Sequence, residues 1–151
     1  WRRATGKTCR PLAETLSGMP AHVQERWFAR MWLLKPAIIG VLALFWLASG
    51  TIGLLRSETA ALVLTERGFA PGVAMAAVLT GSVIDLLLGA FVVWRRWTRA
   101  AQLGMLAVTL GYLAAATLFA PALWLDPLGS LVKTIPCALL AVVGLAILDE
   151  R

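Results

Sequence analysis

Hydrophobic positions along this chain gather into long blocks and do not alternate with polar ones. Four such blocks, approximately 33–55, 72–94, 100–120 and 129–148, each hold about 20 residues or more, enough to cross a hydrocarbon core of ~30 Å at about 1.5 Å per residue. Charge or proline bounds each block. The pattern predicts an all-α membrane protein, a four-transmembrane-helix bundle of up-down-up-down topology. Ahead of the first block the pattern changes twice. Residues 1–20 are polar, broken by Gly6, Pro11 and Gly18, and read as a linker. Over residues 21–32, Val23, Trp27 and Met31, with Phe28 and Trp32, share one helical face, and Gln24, Glu25, Arg26 and Arg30 share the other. That predicts an interfacial amphipathic helix lying in the headgroup layer. Between the first two blocks, Ser57 as N-cap, an apolar stretch from Ala60 to Leu64 and Gly68 as C-cap predict a short helix at the membrane surface.

Composition agrees with the pattern. Hydrophobic residues make up 60% of the chain and the mean hydropathy is +0.80, well above soluble domains. The net charge of +6 does not imply nucleic acid, because the basic residues flank apolar blocks and form no separate basic domain. They act as topology signals. Arg26, Arg30, Lys35, Arg95, Arg96, Arg99 and Arg151 fall on one side of the predicted membrane, whereas Arg56, Arg67 and Lys133 fall on the other. The first side, with both termini, is expected to be cytoplasmic. Cys9 and Cys137 lie at depths too different to form a disulfide.

Three ionisable side chains fall inside the blocks. An unpaired charge at mid-bilayer costs about 2.5–3.5 kcal/mol on insertion scales. Lys35 is near the edge and can snorkel to the headgroups. Asp85 is nine residues from Trp94, roughly 13 Å deep at helical rise, too far for a short carboxylate to reach water. It must face the bundle interior, on a helix face it shares with Gly81 and Gly89. Lys133 lies toward the opposite edge, followed by Pro136, which removes a helix bond. Both Lys133 and Lys35 are within reach of Asp85 by depth; Lys133 is the favoured partner because Lys35 has the easier exit. A pair fixing helix register and a ligand- or proton-handling site are both consistent with this. Trp46, Ser49, Thr109 and Tyr112 fall at similar depth and are expected to line the same interior. Small residues recur as Ser49 with Gly53 and as Gly104 with Gly111 and Ala115, patterns that permit close helix packing.

The single histidine, His22, lies outside the blocks, so bis-histidine haem ligation within the bundle is excluded. Neither cysteine has metal-ligand neighbours, and no metal site is expected. Phosphate loops, nucleophile elbows and Cys-x-x-Cys pairs are missing, so no autonomous catalytic motif is present.

Two segments carry a resemblance. Gly81-Ser-Val-Ile-Asp85-Leu-Leu-Leu-Gly89 and Trp124-Leu-Asp126-Pro127-Leu-Gly129-Ser-Leu-Val-Lys133-Thr-Ile-Pro136 resemble the DoxX-like integral membrane family, so that residues 33–151 form a DoxX-like membrane domain. The stretch Val23-Gln-Glu-Arg-Trp-Phe-Ala-Arg, followed by Lys35-Pro36, is similar to the junction in bacterial proteins that join an NAD(P)-binding, epimerase-like short-chain dehydrogenase domain to this membrane domain. The chain starts at Trp1 and not at Met, and the expectation is of a longer polypeptide whose Rossmann domain precedes it. The resemblance implies residence in the bacterial inner membrane. It also implies two functions: anchoring of that cytoplasmic NAD(P)-dependent oxidoreductase or epimerase, or service as a redox subunit binding quinone or another lipophilic substrate. For the latter, Asp85, Lys133, Tyr112 and Trp46 are the candidate binding residues, with Gly81, Gly89, Asp126, Pro127, Gly129 and Pro136 structural. No cofactor is expected in this chain itself beyond quinone, NAD(P) belonging to the upstream domain. A small transporter ranks last; four short helices could form one only as a homo-oligomer.

Overall fold

The computed structural model describes residues 2–6, 8, 10–19, 23–125 and 129–148. Among them there is no strand. The order is α1 (Arg2–Thr5), α2 (Leu12–Ser17), α3 (Val23–Leu55), α4 (Ser57–Thr65), α5 (Pro71–Val93), α6 (Thr98–Phe119), a 3-10 turn (Pro121–Leu125) and α7 (Ser130–Leu148). Four of these, α3, α5, α6 and α7, are long and apolar enough to cross a membrane.

The chain divides into two compact units, residues 1–33 and 34–151. In the first, the described side chains are almost all exposed, and the rings of Phe28 and Trp32 lie 6.0 Å apart, centre to centre. The sequence predicts a separate helix ending at Trp32, but the backbone instead forms one helix, Val23–Leu55, with Pro36 inside it. The residues around the expected break, from Arg30 to Lys35, are mostly good helix formers, and the single backbone donor that Pro36 withholds does not interrupt them.

The second unit is the bundle. At Gly50 an added Cβ would stand 2.6 Å from the Ser82 carbonyl oxygen, and at Gly89 it would stand 2.9 Å from the Leu47 nitrogen, so the backbones of α3 and α5 meet at glycines. Small residues allow that approach where no water-driven force holds helices together. Next, α5 packs on α4 and α6, and α6 packs on α7. The ring closes where the Lys35 Nζ donates to the Ile147 carbonyl at 3.5 Å and where Gly144 of α7 faces Ile38 and Gln102. Each spanning helix thus neighbours the one before it, as short connections require. Of the small-residue patterns, Gly53 sits against Ser82 and Gly104 against Leu88, but Gly111 faces open space.

Short connections follow local rules. Arg56 caps α4 without a side-chain bond and Ser57 is its first residue, so the expected Ser57 cap is displaced by one position. The chain leaves α4 through Gly68, at φ +94, the left-handed region where glycine avoids a Cβ clash. Gly129 takes φ +59 just ahead of α7.

Few side chains are buried; Leu42, Val92, Met105 and Gln102 are the largest that are fully so. Leu44, Leu110 and Leu139 are each more than 60% exposed. An outward apolar surface of this kind suits lipid, where every backbone group is satisfied within its own helix. Lys35, Arg95 and Arg99 surround one pocket at one end of the bundle, with Leu148. Arg67 lies by Phe119 and the 3-10 turn.

Candidate functional site

Asp85 occupies the inward face of α5 and is 6% exposed. Its position follows from the local packing: Gly89, one turn on, lets α3 come close, and this brings Ser49 opposite. The Ser49 Oγ donates to Asp85 Oδ2 at 2.8 Å, a charge-assisted bond when the carboxyl is ionised. From α6 the Tyr112 hydroxyl also faces the carboxyl and interacts with it electrostatically. Among the described residues Asp85 Oδ1 has no hydrogen-bond partner within bonding geometry. Gly81 makes room for that phenol, since a Cβ there would stand 2.7 Å from the Tyr112 oxygen.

Two hollows share this polar wall. The inner one, of about 80 Å³, is lined by Phe45, Trp46, Ser49, Asp85, Thr109, Tyr112, Thr134 and Cys137. Trp46 is 3% exposed, its ring set edge-on to Phe45 at 6.3 Å, and its Nε1 is unpartnered. The hydroxyls of Thr109 and Thr134 donate to the carbonyls of Met105 and Leu131, at 2.8 and 2.6 Å, which leaves their oxygens able to accept. The outer hollow is a groove of about 520 Å³ on the flank of the bundle, between α3, α4, α5 and α6. Its walls include Leu64, Val73, Ala77, Val78 and Ala115; Ser49, Ser82, Asp85 and Tyr112 are its polar residues. Phe69 and Phe119 pack edge to face across it at 6.0 Å.

The structure thus brings Trp46, Asp85 and Tyr112 together, and places Ser49 and Thr109 with them. Lys133 is not among them. It is exposed on α7 and lines neither hollow. The next residue, Thr134, and Cys137 one turn further turn inward in its place. The expected Asp85–Lys133 pair is therefore not formed, and Lys35 is engaged instead at Ile147. The reason is angular: successive helix residues are ~100° apart, so with Thr134 facing inward Lys133 points outward, where its long stem can reach an interface. Pro136 lies inside α7 on an exposed face. Asp126, Pro127, His22 and Cys9 fall outside the described residues.

Sequence reasoning passed over Gln102. It is 0% exposed, both amide atoms lack partners among the described residues, and it packs against Gly144, which Ile38 also approaches. An uncharged polar residue near the start of a span carries no insertion penalty comparable to Asp85, so hydropathy does not flag it. Its spacing along α6, four residues after Thr98 and seven before Thr109, puts it on their face and is the signal that could have done so.

Lipid-length helices in a closed ring, with one acid at the centre and a polar wall around it, define a polytopic integral membrane protein with an acid-centred interior. A model of the DoxX-like family matches residues 43–142, and the chain belongs to that family. The match takes in Trp46, Ser49, Asp85, Gln102, Tyr112 and Lys133. No curated protein and no solved structure matches.

Proposed function

We propose that this domain seats a quinone, or a lipophilic carbonyl compound like it, in the flank groove, with the polar head against Asp85 and Tyr112. The observation that carries this is the groove itself: about 520 Å³, within the ~300–1,000 Å³ typical of ligand pockets, mostly apolar, with a few convergent polar groups. The head would accept from the Tyr112 hydroxyl, and Asp85, with Ser49 holding one oxygen, would give it one proton when a reduced nicotinamide in a domain joined ahead of α3 supplies the hydride; hydride and proton together convert quinone to quinol. Lys133 has no part in this reading.

A second role is compatible with the first. Lys35, inside α3, and Leu148, at the end of α7, meet Arg95 and Arg99 around one pocket. By the distribution of Lys and Arg that end is cytoplasmic, in a bacterial inner membrane. A NAD(P)-binding domain joined ahead of α3, as the junction residues suggest, would be tethered at the inner face.

The deciding experiment is titration of the purified protein in detergent with a short-tailed quinone, read by tryptophan emission. Saturable quenching is expected, weakened at least about tenfold in Asp85→Asn, equivalent to about 1.4 kcal/mol, and reduced in amplitude in Trp46→Phe. Quenching that never saturates in folded protein refutes the quinone reading and leaves the tether alone.

A further inference from the structure

Trp46, Asp85 and Gln102, all more than nine-tenths buried, present atoms without a partner among the described residues: an indole N–H, a carboxyl oxygen and a complete amide. Each unpaired group costs about 1–3 kcal/mol unless something bonds it, and lipid offers nothing that can. The first two face the inner cavity. Its roughly 80 Å³ matches about two to three waters at ~30 Å³ each, and a water needs 2–4 polar partners. Waters there would accept from Trp46 Nε1 and donate to Asp85 Oδ1, Thr109 and Thr134.

Gln102 continues the polar line. Thr98, Gln102 and Thr109 are all buried on the inner face of α6, a row spanning roughly 16 Å at helical rise. Thr98 lines the basic pocket of about 310 Å³ with Lys35, Arg95 and Arg99, and Thr109 lines the Asp85 cavity. Between Gln102 and Thr109 the buried face is held by Met105, 1% exposed, a side chain whose flexible thioether can shift aside.

We propose that this row is a proton route: Asp85 exchanges its proton with the aqueous phase at the basic end of the bundle along the face of α6, where Gln102, lying between the basic pocket and the Asp85 cavity and lining neither, bonds the water that bridges them as Met105 shifts aside, and not through the groove. On uptake, a proton leaves hydronium in the basic pocket, passes between waters past Gln102 and Met105, and comes to rest on Asp85 Oδ1, turning the carboxylate into a neutral acid. Release is the reverse, and nothing else is consumed. Gln102 never ionises; it is a positioning residue that both donates to and accepts from water. The other titratable groups on the cavity wall are Tyr112 and Cys137, and the cations Lys35, Arg95 and Arg99 stand at the far mouth. An ionisable residue inside a membrane faces the bundle interior or a water-filled cavity and marks proton relays among other pathways. The inference deepens the reading of Asp85 as the proton-handling acid, but its test uses no quinone, so the two fail separately.

The test is infrared spectroscopy of the intact chain in lipid nanodiscs. The carboxylic C=O band of Asp85, identified by its loss in Asp85→Asn, is followed as water is exchanged for heavy water. Deuteration is expected to slow at least about tenfold in Gln102→Leu, equivalent to about 1.4 kcal/mol of barrier. Gln102→Asn should restore most of the rate, and Leu110→Ala, on the outer face of α6 and lining neither hollow, should leave it unchanged. Thr109→Val should slow it as well and serves if Gln102→Leu does not fold. An unchanged rate in the folded Gln102 or Thr109 variant overturns the route, as does equal slowing by Leu110→Ala, or the lack of any Asp85 band at every pH at which the protein folds.

Discussion

At the scale of single residues, the Ser49–Asp85 bond of 2.8 Å is the strongest side-chain interaction described between spanning helices. Hydrogen bonds between membrane helices average ≈ 0.6 kcal/mol and reach about 1.7, and a buried carboxyl acceptor belongs at the upper end only when ionised. A double-mutant cycle of Ser49→Ala and Asp85→Asn, read by unfolding in mixed detergent micelles, is expected to give a coupling of about 1 kcal/mol. A coupling near zero would mean the bond is not made in the membrane. The sequence made Asp85 legible because a mid-span acid has few excuses, and Trp46 and Tyr112 followed from depth alone. Its partner was not legible. Depth arithmetic allowed Lys133, but pairing depends on which way each helix is turned about its axis. That angle is set by the contacts of Thr134, Cys137 and Gly144, and no single helix encodes it.

At the scale of elements, the α3–α5 contact differs from the other small-residue patterns. Gly50 meets the backbone of Ser82 and Leu86, whereas Gly111 meets nothing within 4 Å. Gly50→Val is therefore expected to push the helices apart and cost at least about 2 kcal/mol, in the range of overpacking. Gly111→Ala should be neutral or stabilising by up to about 1 kcal/mol, from helix propensity alone. Thermal inactivation of tryptophan emission in detergent compares the two. If both variants lose stability equally, the helices do not meet at Gly50 as described. The spanning helices themselves were readable, because about 20 apolar residues bounded by charge or proline admit few other structures. The start of α3 was not, since an amphipathic face before a span looks the same whether or not the helix continues into it.

For the whole molecule, the ring order α3, α5, α6, α7 puts Arg95 and Arg99 at one end of the bundle, with Lys35. If the basic end is cytoplasmic, as proposed, a cysteine at Arg96 should resist a membrane-impermeant maleimide applied to whole cells, and one at Glu66 should react. The opposite labelling would invert the topology and place any domain joined ahead of α3 on the wrong face for a nucleotide cofactor of the cytoplasm. Tethering would then fail while the groove kept its chemistry.

The groove opens on the flank of the bundle, where its outer residues Val73 and Phe119 are 58% and 67% exposed. A solute arriving there comes from the lipid and not from the water, so its effective concentration is a mole fraction of the bilayer. Adding lipid to a fixed amount of such a solute dilutes it, and an apparent affinity stated per litre of buffer would drift with the lipid-to-protein ratio. For this protein, occupancy in the cell would be governed by the composition of the membrane pool, and a change in that pool would act on the site without any change in the aqueous level of the solute.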